Sequence, residues 1–205
     1  MTRELSRART AIGAGGVVLV TRILVLTFLL CFFNGCSKES PASIVYGAAP
    51  DFSLLDISGK PFTRSNLAGK VWVADFIFTH CAGSCPAMTG MMRKLQDQLP
   101  REINLVSFSV DPERDTPQVL TDYAKQFGAD KERWMFLTGD KEQLHKISIE
   151  GFKLALDESA GTEVEPITHS SRFVLVDKDG QIRGYYSGMD EDDLKRLVED
   201  AGKLL

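Results

Sequence analysis

Cysteine and histidine are both scarce in this 205-residue chain, which has four of the first and three of the second. Cys31 and Cys36 lie in or beside an N-terminal apolar segment, so only Cys81 and Cys85 belong to the body of the chain. That distribution does not fit a small fold stapled by a disulfide framework. Internal repeats and low-complexity tracts are missing as well, which leaves one ordinary domain rather than an array. Excess positive charge is absent too. With Arg3, Arg7, Arg9, Arg22 and Glu4 of the N-terminal segment set aside, 20 basic residues face 27 acidic ones, a net charge of −7. Nucleic acid is therefore disfavoured as a partner, while a cationic protein surface stays open. What is present suffices for a core without staples: 43% hydrophobic and 25% charged residues.

Residues 1–36 have the layout of an export signal, with the four arginines ahead of the apolar run Ile23 to Phe33, ILVLTFLLCFF. Asn34-Gly35-Cys36 follows, and a small residue before cysteine is similar to a bacterial lipoprotein cleavage site, with Cys36 the residue to be lipidated. Ala11 to Phe33 is also long enough to span a bilayer as an uncleaved anchor, although Arg22 falls inside it. Both readings tether the chain to a bacterial membrane, with the domain on the exported, periplasmic side. Residues 37–49 read as a small-residue linker and 50–205 as the domain.

Along that domain, apolar runs of strand character alternate with helical patterns. VWVADFIF (Val71 to Phe78) precedes a helical segment to Leu99, and INLVSFSV (Ile103 to Val110) precedes one that opens after Thr116-Pro117. WMFLTGD (Trp134 to Asp140) reads as a strand and a helix cap leading into KEQLHKISIEGF, RFVLVD and QIRGYY form a hairpin, and a last helix runs from Asp190 to Leu204. This order predicts an α/β, thioredoxin-like fold with a central mixed sheet flanked by helices.

In that frame THCAGSCPAM (Thr79 to Met88) falls at a strand-to-helix loop, with Cys85 directly before Pro86 at a first helical turn. A thiolate there is favoured by the helix dipole and the free N–H groups. The pair can be a redox disulfide, part of a metal site, a structural bridge, or two small buried side chains.

FTHCAGSCPAM, SVDPERDTP (Ser109 to Pro117) and HSSRFVLVDKDGQIRGYY (His169 to Tyr186) together resemble the Sco/SenC family, over essentially the whole exported domain. Members are membrane-tethered, thioredoxin-like proteins implicated in delivering copper to cytochrome c oxidase. The resemblance implies a copper site at Cys81, Cys85 and His169, with Cys81 and Cys85 also able to form a disulfide. Soft thiolates suit Cu(I), and an imidazole makes a set that also accepts Cu(II), whereas structural zinc normally takes four protein ligands. Ser170 stands where a thiol oxidoreductase of this fold would carry a cis-proline, which leans toward metal binding. Ala82-Gly83-Ser84 lacks the proline and acidic residue often found between the family's cysteines, which would ease deprotonation of Cys81, loosen the loop and shift the balance between copper retention and disulfide exchange.

Around these ligands, His80 is a neighbour able to tune Cys81 or touch copper transiently. Met88 is the thioether nearest the cysteines in a Met88, Met91, Met92 pattern that usually means core packing. Asp111 would be an acceptor or an electrostatic handle near the site, and Asp115 or Thr116 caps the next helix. His145 belongs to a solvated or boundary helical face. Asp177-Lys178-Asp179-Gly180 is a hairpin turn, since Ile182 and Gly188 break the calcium-loop pattern.

Three functions compete on this basis. The first is a copper chaperone for cytochrome c oxidase or another exported cuproenzyme, fed by an upstream copper donor or thiol reductant. The second is a thiol-disulfide oxidoreductase that reduces a partner's thiols through Cys81 and Cys85. The third, a peroxidase, lacks the proline and threonine expected before its cysteine.

Overall fold

A computed structural model describes residues 44–81, 83, 85–157 and 168–205, with backbone alone at 157, 168 and 169. The N-terminal signal or anchor, with Cys36, lies outside these residues. Among those described, no helix is long and apolar enough to cross a membrane.

The apolar runs become the centre of a six-stranded mixed sheet in the order β1-β10-β9-β4-β5-β6. β4 (Trp72–Ile77), β5 (Asn104–Ser109) and β6 (Trp134–Leu137) run parallel. β9 (Arg172–Val176) and β10 (Gln181–Ser187) form the predicted hairpin, and β9 pairs antiparallel with β4. Every residue of β4 and β5 is buried, because helices or loops cover both faces of a parallel sheet core. Side chains of β4 alternate between those faces. Trp72, Ala74 and Phe76 join Phe108 and Phe152 on one, and Val73 and Ile77 face the helices on the other.

Those helices are α1 (Cys85–Gln98), α2 (Pro117–Gln126) and α4 (Glu191–Gly202), which contribute Met92, Leu120 and Leu197 to the helical face. The opposite face receives Leu144 of the short helix α3 (Lys141–Lys146) and the π-helical turn Ile147–Gly151 that continues it. Helix starts follow the sequence closely. Thr116 accepts from the Val119 N–H with Pro117 in the first turn, Asp140 caps α3, and Asp190 caps α4.

The linker boundary needs correction. Gly47–Ala48 forms β1 on the edge of β10, Tyr46 N–H donates to the Ile182 carbonyl at 2.9 Å, and Ala49 is buried. The last residues before 50 therefore belong to the sheet, a pairing too short to leave a period in the sequence. A second small hairpin, β2 (Ser53–Leu55) with β3 (Pro61–Thr63), also carries too few residues to be read in advance. At the β9–β10 turn Gly180 takes a φ of +74°, which glycine adopts without a Cβ penalty.

Candidate metal centre

The thiol loop begins where β4 leaves the sheet. Phe78 is still buried, Thr79 and His80 turn the chain, and α1 starts at Cys85 itself. Cys81 and Cys85 are not joined in a disulfide; Cys81 is 6% exposed and Cys85 wholly buried. The Gly83 N–H donates to the Cys81 Sγ at 3.3 Å, and the two thiols share a hydrogen bond.

Burial pushes the Cys85 thiol far above its ordinary range, helped by the neighbouring Cys81 sulfur and the negative potential of Asp75, against a backbone hydrogen bond at Phe78. This reverses the expectation of a favoured thiolate at the first helical turn. A helix dipole contributes at most about 2 kcal/mol, and removal from water outweighs it. Cys85 is thus a protonated thiol that must release its proton to a base or to water as it binds a metal or enters disulfide exchange.

Asp75 is the residue that sequence inspection passed over, although a lone acid inside VWVADFIF was its visible signal. It lies on the helix-facing side of β4, fully buried, and neither oxygen has a hydrogen-bond partner of normal geometry. Desolvation raises its pKa to about 7, and Ser107 opposite it on β5 relieves this only slightly. The Ser107 hydroxyl oxygen already accepts from the Trp134 indole N–H at 2.9 Å. The field of Asp75 also helps raise Tyr123, whose hydroxyl lies 2.8 Å from Thr89 Oγ1 on α1.

A second buried acid organises the other side of the loop. Asp115, expected as an alternative helix cap, leaves that work to Thr116 and accepts three other donors. They are the Thr79 N–H (3.1 Å), the Thr79 hydroxyl (2.6 Å) and the Ser109 hydroxyl (2.7 Å). Ser109 Oγ in turn accepts the Asp111 N–H at 3.1 Å. The turn carrying Asp111 and the turn preceding Cys81 are therefore joined through one carboxylate. Asp111 itself is nearly buried and paired with Arg114.

The remaining candidates divide. His169 lies in β8 (Thr168–His169), which pairs with β7 (Leu156–Asp157), and its side chain lies outside the described residues. Its backbone sits three residues before β9. The antiparallel register Ala74↔Val174 brings the beginning of β9 to the end of β4 from which the thiol loop departs. Met88 is fully buried in the helical-face core, with its methyl toward Gly188 and near Phe173, so its place is one of packing. His145 borders a shallow depression with Glu142, Lys146, Ile149 and Glu150, which contains neither cysteine. Among the described side chains, no three His, Cys, Asp or Glu residues form a metal-binding group.

A mixed sheet with this topology and a C-x-x-x-C pair at the β4–α1 loop defines a thioredoxin-like dithiol protein. The SCO1/SenC family model matches residues 45–204, and the chain belongs to that family. It is 33% identical to the SCO1 protein homolog of Bacillus subtilis, over 88% of this chain and 93% of that one. Among solved structures, a SCO1/SenC family lipoprotein from Bacillus anthracis aligns with a TM-score of 0.70 at 35% identity, covering 77% of this chain and 95% of that one. BsSco, a member of the Sco family of cytochrome c oxidase assembly proteins in which a disulfide switch was identified, aligns at 0.67 and 33%, covering 78% and 97%. Copper-bound ScoI of Arabidopsis thaliana aligns at 0.65 and 26%, covering 76% and 99%.

Proposed function

We propose that this chain is a membrane-tethered copper chaperone that holds its cargo through Cys81, Cys85 and His169. It would serve the metallation of cytochrome c oxidase or another exported cuproenzyme. The observation that carries the reading is the pair of buried, mutually hydrogen-bonded thiols, not joined in a disulfide, just beyond the end of β4. Two adjacent soft donors in an apolar surround suit Cu(I), and the proximity of the His169 backbone to that end of the sheet supports an imidazole as third donor. The copper in the Arabidopsis relative and the assembly role of BsSco agree with this. The lipoprotein from Bacillus anthracis agrees with lipidation at Cys36.

When copper is bound it supplies a charged centre that replaces the Cys85 proton. The chain's own residues do the rest: the apolar walls exclude water, and Asp115 holds the loop at Thr79. A second use of the same thiols, reduction of a partner's disulfide, is favoured by one observation. Asp75 is a buried, unpaired carboxyl poised near neutrality whose field reaches Cys85.

Anaerobic Cu(I) titration of the reduced chain against a competing chelator tests the first reading. Tight one-to-one binding, weakened by Cys81→Ser, Cys85→Ser and His169→Ala but not by His145→Ala, is the expected outcome. Unaltered binding by His169→Ala removes that residue from the site. No competitive binding at all leaves thiol reduction as the function.

A further inference from the structure

The hydrogen bonds around Asp115 carry one more consequence, for His80. The Thr79 hydroxyl has a single proton, and it is donated to the Asp115 carboxylate at 2.6 Å. The same oxygen lies 3.0 Å from His80 Nδ1, so in that contact it can only accept. Nδ1 must then carry a proton, and the other ring nitrogen of the neutral imidazole keeps its lone pair. Direct contact with the carboxylate is not the cause, because His80 Nδ1 and Asp115 Oδ1 are 3.9 Å apart. The relay is anchored at one end by an acid with no exposed surface and ends on a side chain that is 54% exposed, one residue before Cys81.

We propose that Thr79 and Asp115 are positioning residues that hold His80 as its Nδ1–H tautomer and leave Nε2 as an open donor for incoming copper. His80 then makes the first contact with the cargo before the metal passes to the buried thiols. This role rests on the copper reading. An imidazole presented in this way is a borderline donor accessible from solvent, which Cys81 and Cys85, nearly or wholly buried, are not. The Thr79 hydroxyl oxygen, accepting from Nδ1–H, does for His80 what a backbone or carboxylate acceptor does for other metal-binding histidines: it selects the tautomer and steadies the ring.

The test uses the full-length reduced chain in detergent micelles, labelled with 15N-histidine, with His80→Gln to identify the His80 signals. At a pH where the ring is neutral, His80 is expected as Nδ1–H in the wild type and in Thr79→Ser, and Thr79→Val loses that preference. Capture of Cu(I) from its bicinchoninate complex is followed by stopped flow. His80→Gln and Thr79→Val are expected to slow it about tenfold, the size of effect that partners of metal ligands usually have, while Thr79→Ser does not. The one-to-one end point stays the same in all four proteins. An Nε2–H tautomer in the wild type refutes the relay. Unchanged capture by His80→Gln refutes the role in copper entry. If the wild type takes up no copper while His80 is Nδ1–H, the proposed function and the entry role both fall, and only the hydrogen-bond assignment survives.

Discussion

Asp75→Asn isolates the energetic cost of keeping an unpaired carboxyl in the core. In the unfolded chain the group has an ordinary pKa of 3.8, and in the fold desolvation raises it to about 7. The native state therefore binds this proton more tightly, so its stabilising contribution is fully present below pH 3.8 and is lost as pH rises through about 7. At about 1.4 kcal/mol for each pH unit between the two values, the loss amounts to about 4 kcal/mol, a large fraction of a domain's net stability. Asparagine has nearly the same shape and cannot ionise, so the variant carries no such slope. Urea unfolding of the reduced wild type and of Asp75→Asn at pH 4 and pH 8 measures it. Other titrating groups contribute equally to both proteins and cancel in the difference. The variant's stability relative to wild type should improve by about 4 kcal/mol between the two pH values. The fixed cost of burying an amide shifts both points together and does not alter the comparison. An equal difference at pH 4 and pH 8 would refute the claim that Asp75 is held neutral by burial.

The other stability predictions test the frame around the site. Phe152→Ala empties a position that is fully buried and in edge contact with the Trp72 ring at 5.9 Å, and should cost about 3–5 kcal/mol in urea unfolding. Thr116→Ala removes the side chain that accepts the Val119 N–H at the start of α2 and should cost about 1 kcal/mol, while Thr116→Ser should restore most of it. Gly151→Ala places a Cβ where the Pro50 ring lies, so the strand-bearing segment before β2 must shift; faster hydrogen exchange at the Tyr46 and Ala49 amides, which bond to β10 and to the Gly180 carbonyl, would report it.

Much of the molecule was legible as pattern. The largely apolar, strand-like runs Val71 to Phe78 and Ile103 to Val110 marked two strands of the central sheet. Thr116-Pro117, Asp140 and Asp190 marked helix starts, because capping is a local hydrogen bond between a side chain and its own next turn. The dithiol was equally local: four residues of sequence and one proline place it at a strand-to-helix loop. Edge pairings such as β1 on β10 escaped notice, since two residues carry no period and their partner is 135 residues away in Gly47↔Ile182.

What the amino-acid sequence determined by itself is therefore the order of the central strands and main helices, the family and the two thiols. The tertiary structure decided what those thiols are chemically, because a pKa depends on desolvation and on charges brought near from other elements. It moved Cys85 from an expected thiolate to a buried thiol and made Asp75 an acid poised near neutrality. It also turned Asp115 from a nominal cap into the acceptor that joins two loops. The first two follow from burial, which depends on the elements packed around a residue, and the third from contacts of Asp115 with residues 6 and 36 positions away, of which sequence pattern carries no record.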